Sequence, residues 1–296
     1  MSPALPHSSV FTRFYGDNVL DVSALLLNVS SSNEMQLELF NLLINPLHHA
    51  FALGWHRDDV KPDISPEDEK ALMVGSHDPN SSASATKDGG GIQWNAALYD
   101  DACLFVVPGT HRRIRTEEER RANALPPPPP TVIPEGSALS EKEKQALDGS
   151  WDGVDPPTTQ RVFLKAGQTA FYSQRILHRA SYLPTQIRAT LHGCYGVCIA
   201  PVAPPPAASS TALQDTTNAT ADLGTSGATA AAAAAATAAT IVSEQRARNV
   251  LQHGVEWMKD PAFGACLPDR LRPMWDNLLR MERQWAGKEL GFSLDN

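Results

Sequence analysis

His56 and Asp58 stand two apart in GWHRDDV (54–60), and on a β-strand residues two apart share a face. An imidazole nitrogen and a carboxylate oxygen side by side supply two of the three protein ligands that an open metal site needs. A third is available far downstream at His178, in FYSQRILHRASY. Two His and one carboxylate on one triangular face leave the other positions of a metal open. That suits a non-haem Fe(II) centre, which must bind a co-substrate and dioxygen. Arg188 follows His178 by ten residues in QIRATLHGCYG, and Thr190 lies two further on. A guanidinium fork beside a hydroxyl is the pairing expected around a buried carboxylate.

This ordered set, His56 and Asp58 of HxD, the distal His178, and Arg188 with Thr190, resembles the phytanoyl-CoA dioxygenase family of Fe(II)/2-oxoglutarate oxygenases. IQWNAALYDDACLFVVPGTHRR (92–113) is similar to that family's central strand pair, with its PGTH turn before a variable insert. The likeness covers roughly 35–200 well and the C-terminal helices loosely. It implies a mainly β fold with flanking helices around a double-stranded β-helix, the jelly-roll or cupin-like core. It implies Fe(II) on His56, Asp58 and His178, with the distal carboxylate of 2-oxoglutarate on Arg188 and Thr190. Trp94 is the candidate for the aromatic residue that lies near the co-substrate in relatives; the alternative reading is a core Trp. The implied reaction is dioxygen-dependent hydroxylation of a small organic or lipid-like substrate, with 2-oxoglutarate decarboxylated to succinate and no catalytic residue beyond the metal centre. Because Asp58 is a carboxylate, halogenation, which needs that position open to chloride, is not expected.

These residues require strands to hold them. MQLELFNLLINP (35–46) is apolar and too short for periodicity to separate strand from helix; the resemblance favours a strand, ended by Pro46. In IQWNAALYD, Trp94, Ala96 and Leu98 share one face while Gln93 and Asn95 share the other, so one face should line the barrel and the other pack outward. RVFLKAGQTAFYSQRILHRA (161–180) returns the chain to the core. His192 continues the face of Arg188 and Thr190 and is expected to be a hydrogen-bonded barrel residue. His48 and His49, as strand neighbours, face opposite ways and read as surface or pocket-wall residues.

Between these strands lie variable inserts at 61–91 and 112–160, the first polar and read as a surface loop at the mouth of the site. In the second, HRRIRTEEERRANA has good helix propensity. Its arginines read as a solvated, salt-bridged face, or else Arg112, Arg113 and Arg115 meet an anionic group of the substrate. PPPPP (126–130) is a stiff spacer. The Ala-, Thr- and Pro-rich tract 201–240 has nothing to bury and reads as a disordered insert. Residues 241–296 recover helical periodicity, with Leu271, Met274, Trp275, Leu278 and Trp285 on one face. These helices should pack outside the sheet or make a homodimer contact. A single domain over 1–296 is expected.

Composition narrows the class. The chain of 296 residues is 42% hydrophobic, enough for a sizeable core, and its net charge of −8 without a basic stripe argues against nucleic acid as a partner. No apolar run approaches the roughly 18 residues of a membrane span, and no signal peptide is apparent, so a cytoplasmic protein acting on a small molecule is expected. The four cysteines have no CxxC spacing and read as buried reduced thiols. Two other classes stay open: a metal-binding β-helix that serves as a non-catalytic scaffold or binding protein, and a cupin-like metal enzyme without 2-oxoglutarate. The Arg188–Thr190 pair speaks against the latter.

Overall fold

The computed structural model describes residues 8–46, 48–58, 60–74, 90–133, 140, 149, 151, 154–184, 186–198, 244, 246–252 and 255–290. Its frame is two antiparallel sheets. The strands are β1 (Met35–Ile44), β2 (His49–Ala52), β3 (Gly91–Ala97), β4 (Leu104–Val107), β5 (Thr131–Val132), β6 (Gln160–Arg161), β7 (Thr169–Ser173), β8 (Leu177–Tyr182) and β9 (Ala189–Val197). The first sheet runs β1-β9-β3-β7 and the second β5-β2-β8-β4-β6. From β1 to β4, and again from β7 to β9, each strand lies in the sheet opposite its predecessor. Two sheets laid down turn by turn in this way form a double-stranded β-helix. Its inner faces enclose a cavity.

The outer face of the first sheet is covered by helices. A helical run over 8–26 contains α1 (Ser8–Phe14), a π-helical turn and α2 (Leu20–Leu26). Tyr15 from this run stacks on Phe40 of β1 with ring centroids 4.0 Å apart. The insert helices are α3 (Pro66–Val74) and α4 (Glu117–Ala124). Residues 246–252, here α5, are followed by α6 (Pro261–Cys266) and α7 (Arg272–Trp285). The buried face of α7, with Met274, Leu278 and Met281, lies on β1, where Asn277 donates to the carbonyls of Asn33 (2.9 Å) and Met35 (2.6 Å). The face expected either to pack on the sheet or to pair subunits therefore packs on the sheet.

The polar insert 61–91 carries α3, and its residues 75–89 lie outside the described residues, as do 201–240. In the second insert, Thr116 caps α4: its hydroxyl accepts from Glu119 N at 3.3 Å, while Glu119 accepts from Thr116 N at 2.8 Å. This capping box explains why the helix begins there. The arginines before it are not aimed at the cavity. Arg113 pairs with Glu119 at 2.6 Å, and Arg115 is buried against Glu69 of α3 at 3.0 Å. Glu69 also binds Arg57 at 2.7 Å and Arg120. Three guanidinium groups on one buried carboxylate tie both inserts to the strand segment that carries His56 and Asp58.

Candidate metal centre

His56 and His178 meet across an antiparallel bridge. His56 N donates to His178 O at 2.9 Å, and His178 N donates to His56 O at 3.0 Å. The segment after β2 and strand β8 thus bring together two imidazoles 122 positions apart in sequence order (178 against 56), with ring centroids 4.4 Å apart. Asp58 follows in a turn, where its N–H donates to Gln174 O at 3.2 Å. Its Oδ1 lies 3.5 Å from His56 Nε2 and 3.8 Å from His178 Nε2. One ligand atom from each of the three falls within 4.8 Å of the others, a spacing one ion can bridge. The HxD motif lies on an extended bridge and turn rather than within a regular strand, yet both ligands point the same way. Arg57 between them points the other way, fully buried, with its Nη2 on the carbonyls of Thr110 (2.8 Å) and Arg113 (3.0 Å).

The hydrogen bonds fix which nitrogens are free. His56 Nδ1 is 2.7 Å from Gly54 O, and His178 Nδ1 is 3.0 Å from Ile176 O. A carbonyl only accepts, so each Nδ1 carries the proton and each Nε2 presents its lone pair to the shared space. That is the tautomer a metal ligand needs. Burial, with the neighbouring His56 adding to it, pushes His178 down to about 4, so it is neutral at pH 7. Burial also opposes charge on His56, but the hydrogen bond and charge of Asp58 outweigh it and raise His56 above its ordinary value. Burial would raise Asp58; the two imidazoles prevail and hold its carboxyl low.

Gln93, on β3, donates its amide N–H to Asp58 Oδ2. The oxygen that does not face the imidazoles is thereby held, and Oδ1 is left for an ion. Sequence reading missed this residue. The available signal was its place on the face of β3 opposite Trp94.

These residues form one wall of a cavity of about 470 Å³, which extends to Arg188, Phe51 and Tyr182 on one side and to β1 and α5 on the other. Arg188 is buried and lines it. Its Nε donates to Asp101 Oδ2 at 2.7 Å, while its Nη1 is buried without a partner. Thr190 is wholly buried and donates its hydroxyl to the same Asp101 oxygen at 2.5 Å. Thus Arg188 reaches the cavity, and Thr190 stands behind it. Burial works against the Asp101 carboxylate, but Arg188, Thr190 and the N–H of Cys103 more than offset this and hold its pKa below the usual range.

Trp94 is on the other side of the sheet. It is 0% exposed and packs among Tyr15, Phe40 and Tyr195, the last at 4.4 Å between centroids. The β-strand alternation that places Gln93 and Asn95 in the cavity wall sends Trp94 into the apolar core, so the core reading replaces the co-substrate one. His192 does line the cavity, with Nδ1 2.8 Å from Asn95 Oδ1. His48 and His49 are exposed.

No protein-family model and no curated protein matches the chain. Among solved structures it is similar to EvdO2 from Micromonospora carbonacea var. aurantiaca, complexed with 2-oxoglutarate, at 16% identity and a TM-score of 0.38 over 68% of each chain. It is similar to EctD from S. alaskensis with 2-oxoglutarate and 5-hydroxyectoine at 14% identity and a TM-score of 0.34, over 64% of this chain and 52% of that one. A third is the non-haem alpha-ketoglutarate-dependent epimerase SnoN from nogalamycin biosynthesis, at 15% identity and a TM-score of 0.37, over 67% of this chain and 62% of that one. At such loose superposition the chemistry rests on the chain's own residues. Among the described residues no helix is long and apolar enough to cross a membrane.

Proposed function

We propose that the chain is an Fe(II)/2-oxoglutarate-dependent dioxygenase that hydroxylates a small organic substrate. The observation that carries this reading is the His56–Asp58–His178 cluster, with both Nε2 lone pairs and one carboxylate oxygen converging beside a cavity. Three protein ligands on one side are the donor set of non-haem Fe(II) centres with open positions. Bound iron and 2-oxoglutarate would supply the oxidising power, as decarboxylation to succinate and CO₂ accompanies insertion of one dioxygen atom into a C–H bond.

The chain's own part is positioning. The backbone carbonyls of Gly54 and Ile176 hold the imidazole tautomers, and Gln93 holds Asp58. The unpartnered Nη1 of Arg188 fits a carboxylate at the far end of the cavity, because a buried guanidinium N–H without an acceptor costs free energy that an anion would recover. Asp101 fixes the guanidinium from behind.

One observation favours a second reading, a metal-binding β-helix without turnover: Asp101 already provides a carboxylate to Arg188 and Thr190. Titrating 2-oxoglutarate into anaerobic Fe(II)-loaded protein separates the two. The dioxygenase should develop the visible metal-to-ligand charge-transfer band of a chelated keto acid, and His178→Ala should abolish it while the protein stays folded by circular dichroism. Folded wild-type protein that holds iron and gives no band would leave the second reading standing.

A further inference from the structure

A short chain of contacts ties α5 to the metal ligands. Residues Asn249, Val250 and Gln252 of α5 line the cavity, as do Glu38 and Leu39 of β1. Glu38 lies at a bulge, where the register of β1 against β9 slips between Leu37 and Leu39. A bulge of this kind re-aims a side chain. The turned carboxylate meets Arg246 at the start of α5, whose Nε donates at 2.8 Å and whose Nη2 also donates to it. Both side chains are buried, Arg246 at 4% and Glu38 at 2% exposure. Two cross-strand glycines make room for them. A Cβ on Gly196 would strike Arg246 and Glu38, and one on its partner Gly91 would strike Gln174.

Gln174 carries this seat to the metal centre. Its side-chain amide donates to the other Glu38 oxygen at 3.2 Å and to Cys194 Sγ at 2.9 Å, and the Cys194 thiol donates to that same oxygen at 3.1 Å. The Gln174 backbone carbonyl accepts the N–H of Asp58 at 3.2 Å, and its own N–H donates to Gly91 O at 3.1 Å. Gln93 therefore holds the Asp58 carboxylate while Gln174 holds its backbone. If Arg246 withdraws, a buried carboxylate is left uncompensated against Gln174, which is strongly unfavourable. The order of residues along β9 places α5 with respect to the metal. Thr190 stands behind the Arg188 end, Cys194 is paired with Gln93, and Gly196 lies against Arg246. Once 2-oxoglutarate reaches from Arg188 to the metal, the space left for a substrate is on the α5 side.

We propose, building on the metal and co-substrate reading above, that Arg246, Glu38 and Gln174 are positioning residues that register the seating of α5 at Asp58. A substrate pressing on α5 then alters the metal ligand through three side chains that do not themselves touch the ion.

The test uses the full chain, Glu38→Gln, and the double variant Glu38→Gln/Arg246→Met, which leaves no lone charge should the single variant fail to fold. Hydrogen exchange of the α5 amides reports the seat, and calorimetry with Co(II) alone reports the ligands. The charge-transfer band with Fe(II) and 2-oxoglutarate reports their geometry. In both variants exchange over 246–252 should quicken and the band should shift. Co(II) affinity should fall by about tenfold, the lower end of the loss that follows removal of a group orienting a metal ligand. Affinity for 2-oxoglutarate should stay close to that of the parent, because Arg188 is untouched. Arg246→Lys keeps a cation on Glu38 and should keep both the Co(II) affinity and the band. Faster exchange with unchanged Co(II) affinity and band would reduce the pair to a structural brace and overturn the proposal, and unchanged exchange overturns it as well. Parent protein that binds no Co(II) fails the metal reading and the proposal with it. Parent protein that binds Co(II) but gives no band fails the co-substrate reading alone, and the Co(II) comparison still decides.

Discussion

Asp58 lines the cavity and Asp101 lies behind its Arg188 wall; both are buried, and both carboxyls are held below their ordinary range. Their surroundings differ in kind. Asp101 faces a guanidinium, a hydroxyl and a backbone N–H, so its charge is answered within the chain. Asp58 faces two imidazoles, one of them neutral at pH 7, and an amide. A buried carboxylate without a permanent cation is costly, and here the Nε2 atoms of both imidazoles share the space in front of it. The satisfied carboxylate holds the fold, and the other is where, on the proposed reading, a cation would sit. The largest expected effect breaks the first half of this comparison. Asp101→Ala leaves Arg188 buried without its partner and should cost about 3–5 kcal/mol in urea unfolding, while Fe(II) affinity of the folded variant stays within about threefold. A variant as stable as the parent would mean that Asp101 is not the counter-charge described.

The second half is sharpened at Gln93. Its amide grips the Asp58 oxygen turned away from the imidazoles, and removal of a group that orients a metal ligand commonly costs 10–100-fold in affinity. Gln93→Leu should therefore weaken Fe(II) or Co(II) binding by about that factor, as measured by calorimetry, with little change in melting temperature. Unchanged affinity would show that the Asp58 carboxylate needs no such support.

Protonation probes the same contrast in metal-free protein. His178 and His192 take up protons near pH 4 when folded, against an ordinary value of 6.5. Between those values the unfolded chain binds more protons, so stability falls as pH drops from 6.5 towards 4, by about 3 kcal/mol for each imidazole. His56 is shifted the other way and offsets part of this, since its contribution is fully present below 6.5 and is lost as pH rises through its folded value. Urea midpoints at pH 7, 5.5 and 4.5 should decline. Constant midpoints would contradict two imidazoles buried neutral.

The contrast between the two carboxylates was only partly legible in the sequence. Residue types and order sufficed to nominate His56, Asp58 and His178, because period-two spacing and ligand chemistry are local properties. The antiparallel strands of the β-helix followed from resemblance and alternation together. Alternation also separated Trp94 from Gln93 without saying which face was inward. That depends on the helices of 8–26 and α7 covering one side of the sheet, a long-range fact. Nothing near Asp101 in the sequence announces that Arg188 and Thr190, 87 and 89 positions away, close on it. Arg115 looked available for a substrate anion because its partner Glu69 lies in another insert.

Thr190 gives the smallest and most discriminating test. Spacing alone pairs it with Arg188 as a co-substrate anchor, whereas in the fold its hydroxyl reaches Asp101 and the side chain is fully buried. Thr190→Val keeps the shape and removes one buried hydrogen bond to a charged group, worth about 1–3 kcal/mol. If Thr190 acts through Asp101, the urea midpoint should fall by about that much, at its lower end because Arg188 still holds the carboxylate, and the 2-oxoglutarate dissociation constant read from the charge-transfer band should stay within about twofold. If the hydroxyl instead touches the co-substrate, the order reverses: affinity drops by tenfold or more and stability hardly moves. The two parameters come from the same preparation, so the variant decides whether this end of the cavity is an anchor made of two side chains or one arginine braced by the fold.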